Sequence, residues 1–264
     1  MTATARRRLD AELVRRGLAP SRARAVEAVT AGRVLVGGAP ATSPARQVAG
    51  DEPIALTAPP SPYVSRGGFK LAGALDAFGV EVASRRCVDV GASTGGFTDC
   101  LLQRGAMHVT AIDVGRGQLD WRLRTDDRVT VWERTNVRDL APGALQPLAN
   151  VCVADVSFIS LTKVAPHLLD LTTADAVFVL LVKPQYEAGR ARLGKGGIVR
   201  DVEVRVDVVS EVVAGLDRAG LGVRDLVESP ITGADGNVEY LVLATRGPAI
   251  VDRARVEAVV RGAP

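Results

Sequence analysis

Histidine, cysteine and lysine are all scarce in these 264 residues, and each scarcity narrows the chemistry. The two histidines, His108 and His167, stand apart from any Cys or His partner. Neither a zinc site nor a histidine-driven triad is expected, and many hydrolase chemistries fall with them. Cys87, Cys100 and Cys152 show no C-x-x-C spacing, and two of them lie in apolar strand patterns, so all three read as buried packing residues. No apolar run approaches the roughly 18 residues that span a bilayer. The start, Met1 to Arg8, has no apolar stretch behind its basic residues. The expectation is a cytoplasmic protein that does not associate with membranes. No G-K-[ST] phosphate grip and no G-x-G-x-x-G turn occur, and the second absence removes a nicotinamide dehydrogenase.

What is present begins with a glycine turn. Cys87 to Val90 is short, apolar and partly β-branched, and from Thr98 apolar residues recur at helical spacing as far as Gly105. Between them runs Gly91-Ala92-Ser93-Thr94-Gly95-Gly96, a turn whose backbone a ligand can approach closely. A second strand, Val109 to Ile112, ends at Asp113, about 20 residues past the turn, where an acidic side chain can hold ribose hydroxyls. With a later strand that ends at Asn136, the pattern points to a nucleoside-bearing cofactor.

Charge is uneven along the chain. Residues 1–60 carry nine arginines against five acids, a net +4, which leaves −1 of the overall +3 for residues 61–264. A basic module ahead of a near-neutral one suggests a polyanion-binding arm on an enzyme. In that arm, Leu9 to Arg16 reads as a helix stopped by Gly17. A second helix starts at Ser21 and runs to Gly32, and Arg33 to Gly38 reads as a strand and tight turn. Residues 57–64, rich in proline, form a linker. Beyond it, strands are predicted near 87–90, 109–112, 129–132, 151–154, 177–182, 223–227 and 240–245, with helical stretches between and a closing helix over 249–261. Such alternation predicts an α/β fold with a mostly parallel sheet. Asp89, Asp113, Asp155 and Lys183 fall at or just past strand ends, so they are expected to share one crevice.

Lysine is the informative rarity. Beside 29 arginines there are four lysines: Lys70, Lys163, Lys183 and Lys195. A lysine amine can release a proton when crowded or desolvated, and a guanidinium essentially cannot. Lys183 closes an apolar strand and precedes Pro184, and Lys70 follows a Gly-Gly turn. Two lysines near carboxylates suit activation of a hydroxyl, such as a ribose 2′-hydroxyl, for attack on a sulfonium methyl without a metal.

Two resemblances sharpen these readings. Leu9, Asp10, Leu13, Gly17, Ser21, Arg22, Ala25, Gly32, Val34, Val36 and Gly38 resemble the small RNA-binding module of ribosomal protein S-four. This implies that residues 1–60 are a small α+β RNA-binding domain, with Arg8, Arg22 and Arg24 facing RNA phosphates. Residues 61–264 resemble the FtsJ-like RNA 2′-O-methyltransferases, and within them the TlyA rRNA methyltransferases. The resemblance is carried by Ser65 to Leu71, Asp89 to Thr98, Glu133 to Asn136, Asp155 to Leu161, Val182 to Gln185, Gly196 to Asp201 and Gly236 to Tyr240. It implies a Rossmann-like domain that uses S-adenosylmethionine and a Lys-Asp-Lys-Glu set at Lys70, Asp155, Lys183 and Glu239. Lys183 would accept or hold the hydroxyl proton, tuned by Asp155 and Lys70, while Glu239 orients the ribose or Lys70.

By the same resemblance the cofactor would lie along Asp89, Gly91, Ser93, Thr94, Gly95 and Gly96, with Asp113 on its ribose, Asn136 beside adenine and Phe158 as a wall. Arg66, Arg134 and Arg138 are candidates for further phosphate contacts. Ribosomal RNA, within one or both subunits, is the implied partner, and cytidine the implied nucleoside. The linker departs from some relatives, carrying Tyr63 as its aromatic residue. A non-catalytic RNA-binding assembly factor is the competing reading. The sequence leaves the oligomeric state open, a monomer being the expectation.

Overall fold

The computed structural model describes residues 6–57, 61–194, 196–233 and 235–262. Contacts divide the chain into two compact units, Met1–Pro62 and Tyr63–Pro264.

In the first unit, β1 (Arg7–Arg8) runs into α1 (Leu9–Arg15), followed by α2 (Arg22–Thr30), β2 (Val34–Val36), β3 (Ala39–Pro40), β4 (Gln47–Val48) and β5 (Ile54–Leu56). The Ser21 hydroxyl caps α2 by accepting from the Arg24 N–H at 3.3 Å. Leu9 and Leu13 of α1 bury against Ala25 and Val29 of α2, with Val34, Val36 and Val48 beneath them. Gly37 and Gly38, at φ 61° and 83°, close a two-residue hairpin between β2 and β3. The two helices and the strand at β2 follow the sequence expectation. The two-residue ladder of β1 and β4 does not, because strands so short carry no periodicity.

The second unit contains α3 (Gly67–Phe78), β6 (Arg86–Val90), α4 (Gly96–Gln103), β7 (His108–Ile112), α5 (Trp121–Arg124), β8 (Val129–Trp132) and β9 (Ala149–Ala154). After these come α6 (Leu161–Leu169), β10 (Thr172–Val182), α7 (Pro184–Glu187), α8 (Val202–Arg218), β11 (Leu221–Glu228), β12 (Tyr240–Arg246) and α9 (Arg253–Val260). The closing helix is shorter than 249–261 because Asp252 starts it, its side chain accepting from the Arg255 N–H. Seven strands form one sheet in the order β11-β12-β10-β9-β6-β7-β8. The pairs among β10, β9, β6, β7 and β8 are parallel, and β12 runs antiparallel to both β10 and β11.

Strand alternation divides the core between the two faces. Val151, Val153, Val179 and Leu181 face α3 and α4, while Cys152, Ala154, Phe178 and Leu180 face α6, α8 and α9. All three cysteines are buried and free. From β6 the chain builds outward to β7 and β8, then returns to β9 on the other side of β6. The carboxyl ends of β6 and β9 therefore flank a switch point, where an open α/β sheet leaves a crevice. Among the described residues, no helix is long and apolar enough to cross a membrane.

Candidate active site

The crevice at this switch point holds two adjoining cavities. The larger, about 450 Å³, is lined by Ser93, Asp113, Asn136, Asp155, Phe158 and their neighbours. The smaller, about 170 Å³, is lined by Arg66, Lys70, Gly91, Ser93, Thr94, Gly96 and Asp155, among others. Gly91, Ser93 and Asp155 belong to both walls, so the glycine turn separates them.

That turn is tightly built. Gly91 has φ 85°, and a Cβ there would overlap the Asp155 carbonyl oxygen, so only glycine lets β6 pass this close to the end of β9. Ser93, a non-glycine residue at φ 48°, donates its N–H to Asp113 Oδ2 at 2.8 Å. Asp113 Oδ1 accepts from the Gly115 N–H at 2.6 Å. The carboxylate is thereby aimed along the larger cavity with lone pairs to spare for hydroxyls. Asn136 caps the 3₁₀ turn Val137–Asp139, its Oδ1 accepting from the Arg138 N–H at 3.2 Å.

Two expected cofactor contacts are absent from the cavity walls. A Cβ on Gly95 would collide with Leu119 and Leu123, so this glycine serves close packing behind the turn. Asp89 is fully buried: its Oδ2 accepts from the Thr98 hydroxyl at 2.6 Å and its Oδ1 has no partner. Burial pushes its carboxyl up to about 7. Because the folded state keeps the proton while the unfolded chain releases it near 3.8, stability falls as pH rises through that window. The full loss is on the order of 4 kcal/mol. Urea unfolding from about pH 4 to 7 should show this decline. Asp89→Asn should flatten it, and an unchanged slope would mean that Asp89 is ionised in the native protein.

At the smaller cavity the four expected catalytic side chains form two ion pairs. Lys70 Nζ binds Glu239 Oε2, both groups nearly buried. Lys183 Nζ lies 2.5 Å from Asp155 Oδ1 and donates to Ser157 Oγ at 2.8 Å. Lys70 is thus held by Glu239 rather than set directly against Lys183. The sequence missed Ser157 and Gln185, whose Nε2 donates to Glu239 Oε1 at 3.3 Å, although both fall inside stretches that carry the resemblance.

Phe158 is no core aromatic. It is 89% exposed at φ 64°, its ring 5.0 Å from that of Tyr186 at the cavity edge. Arg66 lines the smaller cavity and donates to the Thr232 carbonyl at 2.8 Å, and Arg138 lines the larger. Arg134 is exposed at φ 53°.

In the first unit, the arginines expected at phosphates are engaged with carboxylates. Arg8 commits Nε and Nη2 to the buried Asp10, which Arg22 also reaches at 3.0 Å, and Arg24 pairs with Glu27 at 2.6 Å. The Arg8 fork, helped by Arg22, holds Asp10 down at about 2 against the opposing effect of burial. A buried carboxylate among arginines must be paired, and that requirement was not visible in the linear pattern.

The FtsJ-like methyltransferase profile matches residues 63–246, and the S4 domain profile matches residues 7–54. The chain belongs to the FtsJ-like methyltransferase family. Among family relatives, it is 50% identical to the 16S/23S rRNA (cytidine-2′-O)-methyltransferase TlyA of Mycobacterium tuberculosis, over 90% of this chain and 89% of the relative. It is 41% identical to Hemolysin A of Brachyspira hyodysenteriae, over 89% of this chain and 98% of the relative. A solved structure described as a hemolysin from Streptococcus thermophilus superposes with a TM-score of 0.78 at 38% identity, covering 98% of this chain and 96% of that one. The FtsJ-like match spans the sheet from β6 to β12 and all four residues of the two ion pairs.

Proposed function

We propose that this protein transfers a methyl group from S-adenosylmethionine to the 2′-hydroxyl of a cytidine ribose in ribosomal RNA, in the cytoplasm and without a metal. The observation that carries the reading is the placement of two lysine–carboxylate pairs, one buried and one partly exposed, beside a cavity lined by Asp113 and Asn136. Similarity to a relative named for cytidine-2′-O-methylation of 16S and 23S rRNA supports the substrate class.

The residues present fit the cofactor. The larger cavity lies in the size range of small-molecule sites. Asp113 offers acceptors for ribose hydroxyls, Asn136 and Phe158 line the same cavity, Ser93 borders both cavities, and Thr94 and Gly96 line the smaller one. When bound, S-adenosylmethionine supplies a methyl carbon made electrophilic by its sulfonium.

The chain then has to place one hydroxyl oxygen and receive one proton. Lys183 Nζ, fixed by Asp155 and Ser157, would hold the ribose hydroxyl, and its proton would pass to the Lys183–Asp155 pair as the methyl carbon exchanges its bond to sulfur for the new bond to oxygen. Lys70, oriented by Glu239, places a second cation on the wall of the smaller cavity, where it steers the ribose-phosphate. Alignment by these fixed groups accounts for much of the rate.

The test is transfer of labelled methyl to purified small and large ribosomal subunits, with Lys183→Ala as control. Label that blocks alkaline cleavage at one nucleotide, and is lost in the variant, supports the reading and names the subunit. Cofactor binding with no label on either subunit would favour the assembly-factor reading. For the RNA surface, Arg134→Ala should weaken binding to every rRNA fragment and lower the salt slope by roughly one counterion. A weaker complex with an unchanged slope would remove Arg134 from the phosphate contacts.

A further inference from the structure

Gln185 has no role in the reaction described above, yet it touches one lysine–carboxylate pair and stands two residues from the lysine of the other. It stands two residues after Lys183 in α7, and its Nε2 reaches Glu239 Oε1, the carboxylate oxygen that Lys70 does not hold. Its own Oε1 is shut away from solvent with no hydrogen-bond partner. An unsatisfied buried oxygen is costly, so stability alone is a poor reason for an amide at this position. The turn carrying it is firmly fixed: Pro184 restricts the first backbone angle, and Glu187 at the far end accepts from the Leu161 N–H at 2.7 Å.

We propose that Gln185 is a positioning residue for the methyl-transfer reaction, holding Glu239 in the orientation that keeps Lys70 at the cavity and tying that pair to the Lys183 turn. The inference rests on the proposed methyl transfer. Without the Gln185 amide, the Glu239 carboxylate keeps Lys70 but loses the donor on its second oxygen, and it can rotate with the ammonium attached. An amide suits the place because it donates without adding charge. Two cations already face two anions, and a third anion would upset that balance.

Two variants of the full-length protein separate this role from a structural one. Gln185→Ala should lower kcat roughly tenfold, the effect of one lost hydrogen bond to a charged group. Its KM for S-adenosylmethionine, its calorimetric cofactor affinity and its melting temperature should stay unchanged. In Gln185→Glu the introduced carboxyl lies against Glu239, so the two share a proton at low pH, and the protonated group donates as the amide does. Its activity relative to wild type should therefore be near one at about pH 6 and fall steadily toward about pH 9.

An unchanged kcat in Gln185→Ala, or an equal loss at every pH in Gln185→Glu, would overturn the inference while the wild type still methylates. A wild type that methylates no ribosomal subunit would overturn the reading of the site and this inference together.

Discussion

Lys183→Arg is expected to slow methyl transfer by at least about a hundredfold, the lower end of what a positioned proton-transfer group contributes. The substitution keeps the positive charge and an ion pair with Asp155, so binding of S-adenosylmethionine and RNA should change little. What it removes is the ability to take part in moving a proton, because a guanidinium stays protonated at any working pH. It also replaces a compact ammonium, seated 2.5 Å from Asp155 Oδ1 and 2.8 Å from Ser157 Oγ, with a longer planar fork. Single-turnover transfer with saturating cofactor and ribosomal subunit measures the chemical step directly. Turnover near that of the wild type would remove Lys183 from the proton path and leave it as a simple electrostatic partner.

The second large effect is structural. Gly91→Ala should destabilise the protein by about 2 to 5 kcal/mol and weaken cofactor binding. Two causes add: a left-handed backbone costs a non-glycine residue about 1 to 2 kcal/mol, and overpacking against a neighbour costs about 1 to 3 kcal/mol. The neighbour is backbone, the Asp155 carbonyl, so it cannot swing aside as a flexible side chain would. Movement of either strand end would shift Asp155, and with it Lys183. Gly79→Ala is the matched control, since Gly79 has φ 62° but nothing within 4 Å of a built Cβ. It should bear only the backbone cost. Denaturant unfolding of both variants decides the matter: equal losses would mean that the close approach of β6 to β9 is softer than it looks.

Several features of the site could be read from local sequence. The apolar run to Val90, the glycine turn and Asp113 at the end of the next strand each depend on neighbours close in the chain. So does the Ser21 cap. The pairing of side chains was a different matter. Lys70 and Glu239 are 169 positions apart, and they meet because β12 inserts antiparallel beside β10, which brings the start of β12 near α3. Lys183 meets Asp155 for a different reason, the parallel pairing of β10 with β9, which sets the two strand ends side by side. Gln185 could be seen in the sequence, but its contact could not, since it depends on the same insertion. Burial was equally hidden for two residues: Asp89 lies behind the turn it was expected to present, and Phe158, expected as a wall, projects outward at the edge of the larger cavity.

Short-range sequence patterns specify most of the helices and strands, the order of two modules, the glycine turn with its acidic partner, and a short roster of lysines and carboxylates. These follow from periodicity, backbone permissiveness and residue scarcity, all properties of short stretches. Which charges neutralise one another, in the crevice and in the arginine-rich first unit alike, follows from packing in three dimensions. Ion pairing depends on distance in space and on shared burial, and both are set by strand order and by the packing of helices on the sheet.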